Sequence, residues 1–292
     1  MRRWLNALNN MIILDLNQVM ISNLMVQIGN HTNVKIEKDI IKHMIFNSIR
    51  SIKSKFSPEY GELVIACDNK NCWRKETFPY YKANRKKARE KSELNWNEIF
   101  QFLNDVRQDL KEYFPYRVID IETAEADDVI ATLVFKCPLD ENVLILSGDK
   151  DFIQLHVHRN VKQYDPVKKK FITHDDPEIF LKEHVLKGDS GDGVPNFLSS
   201  DNCLVIGERQ KPLTSKRLQF YMDAAPDNLV EENLKRNYYR NRQLIDLTYI
   251  PEELQKKVID EYNLQSGKNK SKVYQYFVKN RMHLLLENIN DF

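Results

Sequence analysis

The sequence predicts an α/β fold in which a parallel-strand-dominated central sheet is flanked by helices and followed by a smaller C-terminal helical domain. Three observations carry that reading. Short β-branched or apolar runs alternate with longer amphipathic ones through the first half of the chain, three of those runs lead into an aspartate, and the strand pattern stops after about residue 178.

The first strand is Met11-Ile12-Ile13-Leu14, which runs into Asp15. An amphipathic stretch over 37–54 reads as a helix, and the second strand, Leu63-Val64-Ile65-Ala66, passes through Cys67 into Asp68. A helix over 96–113 leads to a third strand over 117–121, after which Glu125-Ala126-Asp127-Asp128 opens a helix over 126–135. The fourth strand, over 142–146, passes Ser147-Gly148 into Asp149, with Asp151 two residues on. Beyond 178 the pattern is helical over 178–187, 214–222, 227–247, 251–262 and 273–289, with a flexible loop expected at 265–270. The expected division is residues 1–178 for the sheet domain, including a basic segment near 70–95, and 179–292 for the helical one.

The 292 residues are 42% hydrophobic and 29% charged, enough for a sizeable buried core and inconsistent with a disordered or fibrous chain. Net charge is only +2, so an acidic partner must be met by a local basic patch. The four cysteines form no CxxC pair, which argues against a disulfide scaffold or zinc ribbon and fits a reducing cytoplasm. No apolar run approaches the roughly 20 residues of a membrane helix, and the start of the chain lacks a small-residue cleavage site. Neither export nor membrane insertion is indicated.

In a parallel sheet the C-terminal strand ends lie side by side, and ligands of open α/β folds bind there. Asp15, Asp68, Asp149 and Asp151 are therefore expected on one edge, joined by Glu125, Asp127 and Asp128. Gly188-Asp189-Ser190-Gly191-Asp192-Gly193 adds two more acids in a glycine-rich turn. Each acid alone has a structural explanation, as a turn cap or a first-turn helix residue. Together they would repel one another unless cations were bound, and an oxygen-only donor set selects a hard ion. Magnesium or manganese fits, as a pair of ions about 4 Å apart that activates water and offsets charge at phosphorus. The implied reaction is phosphodiester hydrolysis. Because Glu125 and Asp127 would diverge by about 200° on one helix, Glu125 must sit at or before the helix start, and Asp127 is favoured over Asp128.

Residues 70–91 carry Lys70, Arg74, Lys75, Lys82, Arg85, Lys86, Lys87, Arg89 and Lys91 against Glu76 and Glu90, with Phe78, Tyr80 and Tyr81 interleaved. A charge run is ordinarily a solvated face. Its place directly after Asp68 argues instead for a lid over a single strand, cations on phosphates and rings on an unpaired base. Arg74, Lys82 and Arg85 are the candidates for contact near the scissile bond. Arg209, Lys211, Lys216 and Arg217 form a second patch suited to a duplex backbone.

The ordered set Ile13-Leu14-Asp15, Ala66-Cys67-Asp68-Asn69, Trp73-Arg74 with Tyr80-Tyr81-Lys82-Ala83-Asn84-Arg85, Glu125-Ala126-Asp127-Asp128, Ser147-Gly148-Asp149-Lys150-Asp151-Phe152 and Gly188-Asp189 to Asp192 resembles the flap endonuclease and 5′ nuclease family, in its phage ribonuclease H branch. The C-terminal Tyr274-Gln275-Tyr276-Phe277 extends the likeness over nearly the whole chain. The resemblance implies a monomeric, magnesium-dependent 5′ to 3′ exonuclease and flap endonuclease. Its substrates would be RNA:DNA hybrids and duplex or 5′-flap DNA, and its task the removal of RNA primers during phage lagging-strand replication in the host cytoplasm. It implies that Asp15, Asp68, Glu125 and Asp127 hold one metal and Asp149, Asp151 and Asp192 the other, with Asp128 and Asp189 as outer members. Lys82 and Arg74 would lie over the scissile phosphate, in an arch through which a 5′ end passes; Tyr81, Lys86 and Lys87 belong to the same segment. Cellular members follow the last acid with a short Gly-rich helix-two-turn-helix that grips duplex and can bind potassium. Here 194–212 is longer, with Gly207 at its core, so duplex contact is expected and a potassium site is not read from it. A single-strand-binding protein and a sliding clamp are the implied partners, at the C-terminal helical surface and at residues 1–10.

Two other classes compete. A haloacid-dehalogenase-type phosphatase needs a second acid two residues after its strand-end aspartate, where Asp15-Leu16-Asn17 supplies asparagine. A DNA-structure-binding protein whose acids only hold stabilising metals would bind without cleaving, and metal dependence of cleavage separates it from a nuclease.

Overall fold

The computed structural model describes residues 9–29, 36–224, 231–265 and 270–292. Residues 1–8 of the expected partner contact and 266–269 of the expected loop lie outside them. Six strands form one sheet in the order β3-β2-β1-β4-β5-β6: β1 Met11–Asp15, β2 Glu62–Ala66, β3 Arg117–Ile119, β4 Val143–Leu146, β5 Val161–Asp165 and β6 Lys170–Ile172. The first five run parallel, and β6 returns antiparallel on β5.

The apolar runs are strands because both of their faces are covered. Ile12, Leu14, Leu63, Ile65, Leu144 and Leu146 face one core, shared with α1 (Leu16–Ile28) and α2 (Lys38–Tyr60). Helix α5 (Trp96–Tyr113) and Val273, Tyr276, Phe277 and Phe292 from the far end of the chain complete that core. The alternate residues, Met11, Ile13, Val64, Ala66, Val143 and Ile145, face a second core with α6 (Ala126–Lys136) and with Leu247, Leu254 and Val258. A third core joins Cys72, Phe78 and Tyr81 to Val185, Leu186, Phe197, Tyr238 and Leu244. It packs the turns that flank two short helices, α3 (Arg74–Thr77) and α4 (Ala83–Glu90), against α7 (Pro177–Lys187) and α10 (Glu232–Ile245). Packing thus crosses the 178/179 boundary in all three cores, and the two-part division remains a proposal about folding units.

Several expectations need correction. Strands β5 and β6 are additional to the four expected, because Val161-Lys162-Gln163-Tyr164-Asp165 lacks a continuous apolar run although it is paired on both sides, and Lys170–Ile172 is a short edge strand. Helix α1 is also additional, starting on Asp15, whose carboxylate accepts the Gln18 N–H. The third strand is two residues shorter than 117–121. The single helix expected over 273–289 is α12 (Ser271–Lys279), α13 (His283–Leu286) and a 3-10 turn, interrupted where Arg281 takes a φ of 55°. Among the described residues the remaining α-helices are α8 (Cys203–Ile206), α9 (Ser215–Asp223) and α11 (Glu252–Leu264). No described helix is long and apolar enough to cross a membrane.

Candidate active site

Register sets the site. Asp15 pairs with Ala66 and Leu14 with Leu146, so β1, β2 and β4 end level, and the residues that follow them meet at one edge. Seven carboxylates, those of Asp15, Asp68, Asp127, Asp149, Asp151, Asp189 and Asp192, line one crevice of about 610 Å³ together with Lys82 and Arg85. Asp15, at the centre, accepts hydrogen bonds from the Gln18 N–H and from Ser147 Oγ at 3.0 Å. Asp68 accepts from the Asn17 side chain and, at 2.7 Å, from the N–H of Ala126, which ties β2 to the start of α6. Gln18 Oε1 accepts from the N–H of Gly148, where a side chain would strike the Asp165 carboxylate at 2.7 Å. Asp189 Oδ1 accepts from the N–H groups of Gly191 and Asp192, closing the late turn.

Crowding acts on protonation. Burial and the neighbouring Asp68 push Asp15 up to about 7. Burial and Asp149 raise Asp127, and burial with Asp149, Asp189 and Asp192 raises Asp151. Glu125 goes the other way despite its burial, down to about 2, because Lys82 and Arg74 hold it ionised. It is the extended N-cap of α6, as the helical spacing required. Its carboxylate accepts from Lys82 Nζ at 2.5 Å, Tyr81 OH at 2.9 Å and Arg74 Nη1 at 3.0 Å.

The basic segment docks on the acids. Lys82 reaches Glu125 and, at 3.4 Å, Asp192; Arg85 pairs with Asp192 and donates to the carbonyl of Gly191. The Lys82 N–H donates to the Asp192 carbonyl at 2.6 Å. Gly193, at φ 76°, lets the two stretches touch, since a Cβ there would stand 2.8 Å from the Tyr80 carbonyl.

Three expected site residues have other work. Arg74 is buried, pairs with Asp128 at 2.8 Å and Glu125 at 3.0 Å, and donates to the Leu244 carbonyl. It is a buried strut that holds Glu125 and Asp128, beside a small cavity that it lines with Asp127, Asp151 and Asp192. Asp128 is fully buried, takes Arg74 and Trp73 Nε1, and accepts the Glu125 N–H at 2.9 Å to close a capping box. It is therefore not an outer metal ligand. Tyr81 is buried with its hydroxyl bridging Glu125 and Asp192 and Phe78 is buried in the third core, so neither ring stacks on a base. Lys86 and Lys87 are exposed, Lys87 donating to the Val205 carbonyl. Arg209, Lys211, Lys216 and Arg217 are exposed as well.

The site also includes residues that sequence reasoning missed. His184, on the last turn of α7, lines an adjoining cavity that shares Asp149, Asp151 and Asp189 with the crevice. It lies 3.4 Å from Asp151 and 3.9 Å from Asp189, and these three side chains offer donor atoms within 4.8 Å of one another. Its spacing of five residues before Asp189 was the available signal. Burial lowers its pKa despite Asp189. Trp96, Phe100 and Arg89 line the same crevice as the acids.

Comparison with known proteins agrees. A family described as 5'-3' exonuclease, N-terminal resolvase-like domain, matches residues 11–185, and one described as T4 RNase H, C terminal, matches residues 175–292. The chain is 35% identical over 291 residues to the ribonuclease H of Enterobacteria phage T4, covering 96% of this chain and 95% of that protein. The flap endonuclease Xni of Shewanella pealeana is 32% identical over 170 residues, 54% of this chain and 62% of that one. Among solved structures, the D15 flap endonuclease of bacteriophage T5, in a complex with DNA and metal ions, has a TM-score of 0.61 at 19% identity. It covers 88% of this chain and 99% of that one, a likeness of fold. The chain belongs to the 5'-3' exonuclease family and is a nuclease.

Proposed function

We propose that this nuclease is a 5′ to 3′ exonuclease and flap endonuclease that hydrolyses phosphodiester bonds in RNA:DNA hybrids and in duplex and 5′-flap DNA. It uses two magnesium ions, for which manganese can substitute, and removes RNA primers during phage lagging-strand replication as a monomer in the cytoplasm of the infected bacterium. The observation that carries the reading is the single crevice that holds seven carboxylates beside Lys82 and Arg85.

The donor set suits hard divalent ions. Burial and mutual repulsion raise Asp15, Asp127 and Asp151, a cost that bound cations relieve. Asp15, Asp68, Glu125 and Asp127 would hold one ion; Asp149, Asp151 and Asp192, with Asp189 and His184 beside them, would hold the other. When bound, such ions lower the pKa of water and offset charge on the phosphate. The chain's own residues do the rest. Lys82 and Arg85, folded onto Glu125 and Asp192, line the crevice beside the acids and would take phosphate oxygens there. Arg74 and Tyr81 hold Glu125 in position. Lys86 and Lys87 extend the contact along the cut strand, and Arg209, Lys211 and Lys216 meet the duplex backbone. Exposed Tyr274, Val278 and Leu284 on α12 and α13 support a protein contact there, for a single-strand-binding protein or a sliding clamp.

The test is a 5′-end-labelled RNA:DNA hybrid and a matching 5′-flap DNA, each incubated with magnesium or with excess chelator. Short labelled products that form only with magnesium are expected. Intact substrates in both arms, with a gel shift retained, would overturn the reading in favour of a binding protein.

A further inference from the structure

One wall of the crevice is aromatic, and nothing in the chemistry above uses it. Helix α5 buries Ile99, Phe102, Leu103, Val106 and Leu110 against the first core. Phe100 falls outside that stripe and is 46% exposed. A single exposed ring is ordinary on a protein surface. This one is built into a group. Trp96, one turn earlier, packs on the first core and holds its ring 5.7 Å from Phe100 at 36°, while the side chain of Asn95 accepts the Glu98 N–H and fixes that first turn. The Arg89 guanidinium stands 5.5 Å from the Phe100 centroid and has no carboxylate partner among the described residues. All three side chains line the same cavity as the seven acids and as Lys82 and Arg85.

We infer that Phe100, backed by Trp96 and flanked by Arg89, is a stacking platform for an unpaired nucleobase of the strand being cut. A strand whose phosphate lies at the acids and cations must carry its base to one side, and the ring wall is the apolar surface that the crevice offers it. A base within a duplex has both faces covered by its neighbours, so the platform takes an unpaired one. Stacking serves any of the four bases, because each presents a π face. Arg89 completes the subsite by facing the ring and lying within reach of the adjoining phosphate. The platform therefore sets how firmly the end of the cut strand is held, whatever its sequence.

This subsite rests on the nuclease reading, and the experiment separates the two. Binding of 5′-flap DNA to wild-type protein, Phe100→Ala and Phe100→Trp is measured by anisotropy in excess chelator, with the flap nucleotides replaced one at a time by an abasic residue. Wild type is expected to bind one abasic substrate about tenfold more weakly than the intact one. Phe100→Ala should bind the two alike, at the weaker level, and Phe100→Trp should restore the difference. An abasic penalty that persists undiminished in Phe100→Ala, or no penalty at any position in wild type, overturns the platform. Magnesium-dependent cleavage of the intact flap by the same wild-type preparation reports on the nuclease reading independently; its absence would remove the basis of both.

Discussion

Arg74 shows how a residue can belong to a site without touching substrate. Its guanidinium is ringed by Glu125, Asp128 and the Leu244 carbonyl with the Trp73 ring beneath it, so it fixes the acid that begins α6. Arg74→Ala leaves the buried Asp128 without its cation and Glu125 with Lys82 as its remaining one, and is expected to cost about 3–5 kcal/mol in urea unfolding. A variant of wild-type stability with only weakened substrate binding would return Arg74 to the phosphate. Asp15 makes a second prediction, for the metal-free protein. Its pKa, 3.8 when unperturbed, rises to about 7 in the fold, so the folded chain holds a proton that the unfolded chain has released. The stability from that protonated carboxyl is present at low pH and lost as pH rises through 7. Glu125 contributes a constant amount here, because its depressed pKa gives stability that is full above about 4.5 and is lost only on further acidification. Asp15→Asn should therefore gain on wild type between about pH 4 and pH 7 by on the order of 4 kcal/mol at most, and hold that gain above pH 7, read from unfolding in chelator. Magnesium should abolish the difference in slope; parallel curves throughout would show that Asp15 titrates normally.

At the scale of elements, the site is a meeting of strand ends with two docked turns. The strand ends were legible in the sequence because continuous apolar runs followed by aspartate have few other uses in a parallel sheet. The docking was not. Nothing in a run of nine cations says that Arg74 turns inward while Lys82 and Arg85 turn to the crevice; that choice is made by the third core, which buries Phe78 and Tyr81 and leaves Lys82 at a φ of 55°. His184 was equally hidden, since it reaches the acids only through the packing of α7 beside the 3-10 turn over Lys150–Val157. Gly193 is the hinge of this contact. Gly193→Ala, forced to keep φ at 76° and to push a methyl group at the Tyr80 carbonyl, should lose about 1–3 kcal/mol and much of its cleavage rate. Paired melting and single-turnover assays check it, and a variant normal in both would mean that the two turns dock without needing the close approach.

Across the whole molecule, the sheet depends on residues far from it in sequence. Phe292 is fully buried among Phe114 and Phe277, with ring centroids 5.8 and 5.0 Å away, and shares the core that covers Ile12 and Leu14. Phe292→Ala is expected to cost about 3–5 kcal/mol, although it lies outside the crevice. Circular dichroism melts of the variant test this, and an unchanged midpoint would show that α12 and α13 only rest on the surface. The same arrangement governs how the chain is made. A ribosome delivers β1, β2 and β4 long before the stretch from Leu247 onward, so both apolar faces of the nascent sheet wait partly uncovered through the synthesis of about a hundred residues. Translation halted before Leu247 should yield a sticky, chaperone-bound polypeptide, since the sheet then still lacks the side chains that complete the cover of both its faces.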